Sequence, residues 1–186
     1  MKSKVEVLKP QKIKKYERLY KKVFKRLGNA TPLLIDCGKL CDEICCSGSD
    51  DDGMWLFPGE EYLYLDKDWC HIKDANFTLS DGYSVKLLVC KGTCPRHERP
   101  LSCRIFPLMP YINEHDRVDF RIDLASVTIC PIALEPDKYT IEDKFIDKLY
   151  KTFPPLLKDE RVVEFIEILS KQYDETKKIL LTPLIF

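Results

Sequence analysis

The sequence is poor in glycine, with seven among 186 residues, and these form neither a G-x-x-x-x-G-K-[ST] phosphate loop nor a G-x-G-x-x-G turn. Also missing are a G-x-S-x-G nucleophile elbow and an H-E-x-x-H helix, so the familiar signatures of nucleotide-binding enzymes, serine hydrolases and zinc proteases are all absent. No apolar run approaches the length needed to cross a bilayer. The opening MKSKVEVLKP has no apolar stretch and no small-residue cleavage site, so a cytoplasmic location without membrane association is expected. Net charge is absent as well: 30 basic residues balance 30 acidic ones, and the whole molecule advertises no polyanionic partner.

The length and a hydrophobic content of 45% suit one buried core, and a single domain over residues 1–186 is expected. Within it the charge is unevenly spread. Residues 1–28 carry eleven basic side chains, from Lys2 to Arg26, against Glu6 and Glu17. From Gln11 to Leu27 the residues Ile13, Tyr16, Tyr20, Val23, Phe24 and Leu27 recur at steps of three and four, the pattern of a basic amphipathic helix that Gly28-Asn29 would stop. Such a face could meet an acidic partner through its lysines. No nucleic-acid motif accompanies it, so a solvated face is the expectation and nucleic acid is not an expected partner.

Residues 33–131 form an irregular middle. Short strand-like runs appear at Met54–Phe57, Tyr62–Leu65, Tyr83–Val89 and Val118–Ile122, parted by the turn signals Asp52-Gly53, Pro58-Gly59 and Asp81-Gly82. Asp50-Asp51-Asp52-Gly53 reads as a solvated turn, because it lacks the alternating ligands and terminal glutamate of a calcium loop. Residues 137–186 return to helix. Thr140 and Asp143 suggest a capping box, Ile141, Phe145, Ile146 and Leu149 share a face, and Pro154-Pro155 ends the element. A longer helix is expected from Asp159 to about Leu181 with Val162, Phe165, Ile166, Leu169, Tyr173, Thr176 and Leu180 on one side. The sum is an α+β fold, with helices at both termini flanking an irregular, cysteine-rich middle with short strands.

What the chain has in abundance is cysteine, nine residues in all. An odd count in a reducing compartment argues against a disulfide framework and for metal. Cys37, Cys41, Cys45 and Cys46 form C-x3-C-x3-C-C; Cys90 and Cys94 follow, then Cys103 within Arg99-Pro100-Leu101-Ser102-Cys103-Arg104-Ile105-Phe106-Pro107, and finally Cys130-Pro131. Closely spaced thiolates supply ligands with little loop entropy and distant ones tie the fold together, which suits zinc or an iron–sulfur cluster. Eight such thiols fit two sites, or one site and a remainder. Neighbouring side chains point apart, so Cys45 and Cys46 do not readily share one ion. Cys70, alone beside His71, reads as a buried small hydrophobe. Cys90-x3-Cys94-x2-His97 falls one residue short of the triad of radical S-adenosylmethionine enzymes, and His97 reads as a surface residue. Arg99 and Arg104 flank Cys103, where their guanidinium groups could donate to thiolates or offset their charge. Pairing with carboxylates such as Glu98 is the plainer alternative.

Taken together, C-x3-C-C, the cysteine pair leading to R-P-x-x-C-R-x-F-P and the late Cys130-Pro131 resemble the YkgJ-type cysteine cluster family, described as a zinc- or iron-chelating domain. The resemblance covers about half the chain, from Cys37 to Pro131. It places Cys41, Cys45, Cys46, Cys90, Cys94, Cys103 and Cys130 on motif cysteines, while the spacing around Cys37 is one residue longer than the usual opening. It implies metal chelation and no particular activity, though some relatives are described as iron–sulfur oxidoreductases. The cluster also resembles one in flagellin lysine methylases, whose additional regions this chain looks too short to carry. Three functions are thus in view: a metal-binding module, an iron–sulfur oxidoreductase or electron carrier, and an interaction protein using the basic helix.

Overall fold

The computed structural model describes residues 9–46, 52–92 and 94–181. Lys2, Lys4 and Glu6 of the basic segment, and Asp50 and Asp51 of the acidic turn, lie outside those residues. Helix α1 (Pro10–Leu27) begins with proline at its first turn, where the missing N–H is not needed, and buries Tyr16, Tyr20, Val23 and Leu27. It ends at Gly28, whose φ of 58° lets its N–H reach the Phe24 carbonyl at 2.8 Å. On the opposite side Lys14, Arg18, Lys21 and Lys25 are exposed.

The middle holds two short helices at its start and centre, α2 (Gly38–Cys41) and α3 (Leu101–Ile105), with strands β1 (Met54–Trp55), β2 (Cys70–Thr78) and β3 (Ser84–Cys90) between them. These strands form an antiparallel sheet in the order β1-β3-β2, with Met54 and Ile72 both opposite Leu88 and Cys70 opposite Cys90. A second, two-stranded ribbon pairs β4 (Leu108–Ile112) with β5 (Val118–Ile122), Leu108 facing Ile122. Helix α4 (Pro131–Leu134) leads to α5 (Asp143–Thr152) and α6 (Glu160–Leu181). The α+β outline, terminal helices about a middle of short strands, is the architecture observed.

The main core is aromatic and joins α1, α5 and α6 to the turn after β1. Phe57 meets Phe165 at 5.2 Å and Phe153 at 5.9 Å between ring centroids, and Phe120 meets Phe153 at 4.8 Å, all edge to face. A smaller cluster of Leu56, Tyr64, Cys70 and Leu88 sits under the sheet, with Cys90 packed against it. The thiols of the middle segment therefore stand apart from the main core.

Several local expectations are corrected. Tyr62–Leu65 is not a strand; Glu60–Leu63 is a 3-10 turn, because Gly59 at φ 85° reverses the chain and the Glu60 carboxylate captures the Phe57 N–H at 3.1 Å. The run at Met54–Phe57 pairs only over Met54–Trp55. The capping box at Thr140 and Asp143 does not form: α5 starts after Glu142, with no side-chain cap, and the Glu142 N–H instead donates to the Pro32 carbonyl at 2.9 Å. Strands β2 and β4 were not foreseen. Pro110 sits inside β4, which tolerates it because both strands of a two-stranded ribbon are edges. On α6 the expected face buries Val162, Phe165 and Ile166, but Thr176 and Leu180 at its far end are exposed. Among the described residues no helix is long and apolar enough to cross a membrane.

Candidate metal centre

Cys37 occupies the cap position before α2 and Cys41 is its last residue, so the two lie one turn apart on one face. The helix stops there because Asp42 and Glu43 both take left-handed backbone angles, φ 49° and 56°. This reversal places the 3-10 turn Ile44–Cys46 back against α2, and the Cys46 N–H donates to the Glu43 carbonyl at 2.6 Å. Gly38 makes the return tight, since a Cβ there would stand 3.0 Å from the Glu43 side chain. Cys90 ends β3, Cys103 lies in α3 and Cys130 caps α4.

These separate segments converge. A cavity of about 130 Å³ is lined by Cys45, Cys46, Cys90, Cys94 and Cys103, and a second of about 30 Å³ by Cys37, Cys41, Cys45, Cys103 and Cys130. All eight candidate thiols lie on one or both, and Arg99 lines each. Gly53 allows the larger cavity to close against the sheet, because a Cβ there would fall 2.5 Å from the Leu88 carbonyl oxygen. Among the described residues, no three histidine, cysteine, aspartate or glutamate side chains are arranged so that they could hold a metal ion as they stand. The thiols pair with one another instead. Cys45 donates to Cys46 and Cys90 to Cys94, which lowers Cys46 to about 7 and Cys94 to about 6 against the opposing effect of burial. The Arg99 guanidinium adds to both shifts. The donors Cys45 and Cys90 are pushed up correspondingly, and Cys103 is pushed up by burial first and then by Cys94 and Cys46.

The two arginines are not equivalent. Arg99 donates from Nη2 to Glu43 at 3.4 Å, while its Nε is buried with no hydrogen-bond partner among the described residues. Arg104 uses its guanidinium on the backbone: Nε reaches the Arg99 carbonyl at 2.6 Å, Nη2 that of His97 at 2.5 Å and Nη1 that of Gly28 at 3.4 Å. It also lies 4.4 Å over the Phe24 ring, so it fastens the segment before α3 to the end of α1. Glu98 pairs with Lys67 and accepts from the Trp69 indole at 2.6 Å, leaving it to neither arginine. His97 is exposed and lines neither cavity, and Cys70 is buried in the small cluster beneath Cys90.

One residue of the site was not foreseen. Glu60 is fully buried, and its carboxylate accepts from the Leu101 N–H at 2.7 Å, capping α3 two residues before Cys103. Burial pushes this carboxyl up to about 8, against the pull of the Leu101 and Phe57 N–H groups and Arg104. Compared with family models, curated proteins and solved structures, the chain finds no match.

Proposed function

We propose that this protein is a metal-binding module whose clustered cysteines hold zinc or an iron–sulfur cluster. The observation that carries the reading is the convergence of eight thiols, drawn from α2, the turn after it, β3, the loop beyond it, α3 and the start of α4, on two adjoining cavities. Free cysteines packed as small hydrophobes would be spread through the main core, which contains none of them.

The donor set suits the group. Soft thiolates select zinc and iron–sulfur clusters, and Cys46 and Cys94, held down near 7 and 6, are thiols poised to lose their protons. Arg99 stands beside them, hydrogen-bonded to Cys94 and with a buried Nε that has no partner among the described residues, the charge and the donor that an electron-rich thiolate centre calls for. Cys37, Cys41, Cys45, Cys46, Cys90, Cys94, Cys103 and Cys130 are the candidate ligands. When bound, the metal would tie together segments that have little core of their own. A structural zinc site contributes on the order of 10 kcal/mol to folding in small domains. The resemblance to the YkgJ-type cysteine cluster family supports the same reading.

The deciding experiment is purification without chelator or oxygen, followed by elemental analysis and an absorption spectrum. Stoichiometric zinc in a colourless protein, or iron in a brown one that bleaches on reduction, is the expected outcome. A reduced, folded protein that neither retains nor takes up zinc or iron would overturn the proposal.

A further inference from the structure

Helix α1 turns Tyr16, Tyr20, Val23 and Leu27 to the core and leaves Lys14, Arg18, Lys21 and Lys25 exposed on the opposite side. These four follow one another at steps of three and four residues, so they stand in a row about 16 Å long. Among the described residues, the one ion-pair partner in the row is Glu17, 3.9 Å from Lys21, and a pair so exposed neutralises little.

Folding extends this basic surface onto a second helix. The Arg26 Nη1 donates to the Lys151 carbonyl at 3.4 Å and the Lys148 Nζ to the Leu27 carbonyl at 3.3 Å, which sets α5 beside the end of α1. Lys144, Lys148 and Lys151 recur at i, i+4 and i+7, so they share one face of α5; all three are exposed, with Asp147 the exposed acid beside them. Arg26 and Lys151 are 125 residues apart, so no contiguous motif announces the joint patch.

Its composition narrows the partner. Every exposed residue from Lys14 to Arg26 is a lysine or an arginine. A helix lying in a membrane surface sinks an apolar side, and α1 has spent its own on the core. Protein interfaces are depleted of lysine and anchored by aromatics, which this face lacks. A phosphate backbone needs neither, because clustered cations bind it by releasing its counterions. With one charge per about 1.7 Å of duplex axis, a row about 16 Å long meets about ten phosphates. The chain's overall neutrality does not cancel the attraction. A globular chain of this length has a radius of gyration of about 16 Å, so acids on the far side lie beyond the screening length of about 8 Å.

From this surface we infer that the protein binds nucleic acid through the phosphate backbone, without regard to sequence, on the joined faces of α1 and α5. The inference is independent of the metal reading. Lys14, Arg18, Lys21, Lys25, Lys148 and Lys151 are the cations that meet phosphates. No aromatic or amide side chain stands in the row to stack on a base or read its edge, so affinity depends on salt and not on sequence.

Fluorescence anisotropy of a labelled mixed-sequence DNA duplex, titrated with the full chain as purified at about 50 to 200 mM salt, tests this. The logarithm of the binding constant should fall against that of salt with a slope of about −5, six contacts at about 0.9 each, a loss of about 10³-fold across the range. An unrelated sequence should bind within about threefold, and an RNA duplex run in parallel shows which nucleic acid the face prefers. Replacing Lys14, Lys21 and Lys25 together by glutamine should reduce the slope to about −3, and replacing Lys148 and Lys151 to about −4. All five side chains are exposed, so circular dichroism should find the fold unchanged. No binding of either duplex at the lowest salt, or an unchanged slope in the triple variant, would overturn the inference. An unchanged slope in the α5 variant would overturn the joint surface. Tighter binding to vesicles of anionic lipid would assign the face to a membrane instead, and tighter binding to poly-glutamate would assign it to an acidic protein. Should a variant fail to fold, the wild-type salt slope and the comparison of probes still decide.

Discussion

Replacing Glu60 by glutamine keeps the side chain's size and removes its capacity to accept on both ends. In the wild type one carboxylate oxygen receives the Leu101 N–H at 2.7 Å and the other the Phe57 N–H at 3.1 Å, in a site without solvent exposure. An amide presents an oxygen to one of these donors and an NH2 group to the other, so one buried N–H loses its acceptor. Such an orphaned group costs about 1–3 kcal/mol. The pH dependence supplies a second, independent signature. The folded carboxyl is raised to about 8 from an ordinary 4.5, chiefly by burial. Its contribution is therefore complete at pH values below the unfolded value and is lost as pH rises through the folded one, at up to about 1.4 kcal/mol per pH unit. Glutamine does not titrate. Urea denaturation of both proteins at fixed zinc, from pH 5 to pH 8.5, should thus find E60Q less stable at the acid end, with the gap narrowing or inverting toward pH 8 and levelling beyond it. The thiols titrate in both proteins and cancel in the difference. Two stability curves that run parallel across this range would refute the reasoning, because they would mean that Glu60 is ionised throughout.

Three further outcomes are expected. Chelator treatment should lower the thermal midpoint by about 20 °C or more, since a zinc site worth on the order of 10 kcal/mol shifts a chain of this size by about 2–4 °C per kcal/mol; scanning calorimetry with zinc added back checks it. Gly59→Ala should destabilise by about 2–4 kcal/mol in urea denaturation, combining overpacking with a left-handed backbone, because its Cβ would stand 2.2 Å from the Tyr16 ring at φ +85°. Arg99→Gln in the metal-free, reduced protein should raise the pH at which Cys46 and Cys94 ionise, the guanidinium being one of the groups that lower both. Following thiolate absorbance against pH measures the shift, and an unchanged titration would place Arg99 outside the thiol network.

Much of the helical frame was legible because it is local. The step-of-three-and-four pattern that ends at Gly28 is realised as α1, and the stretch from Asp159 is realised as α6 from Glu160. Val118–Ile122 pairs as anticipated. The failures share a cause. Tyr62 and Tyr64 alternate like a strand, yet they serve two separate cores from a 3-10 turn, an outcome decided by Gly59 and by a carboxylate whose partner lies 41 residues away. Strand β2, with His71, Lys73 and Asp74 at its start, exists because β3 offers it a ladder, and nothing in its own composition announces that.

The same line divides the site. Residue type and short spacing were enough to set the eight cysteines that line the two cavities apart from Cys70, since thiol chemistry is a property of a few residues at a time, but the angle between neighbouring side chains did not foretell that the Cys45 and Cys46 thiols hydrogen-bond to each other. Which thiols face one another was decided only when the chain returned: Cys130 reaches the space of Cys37 and Cys41 across about half the sequence, and Cys90 and Cys94 arrive beside Cys46 by way of the sheet. Arg99 and Arg104 look alike in sequence, but Arg99, in the extended link before α3, lines both thiol cavities, while Arg104, within α3, spends its guanidinium on backbone carbonyls. Local periodicity encodes what a segment can become; closure of distant segments depends on packing and on buried partners such as Glu60, which leave no mark within any short window.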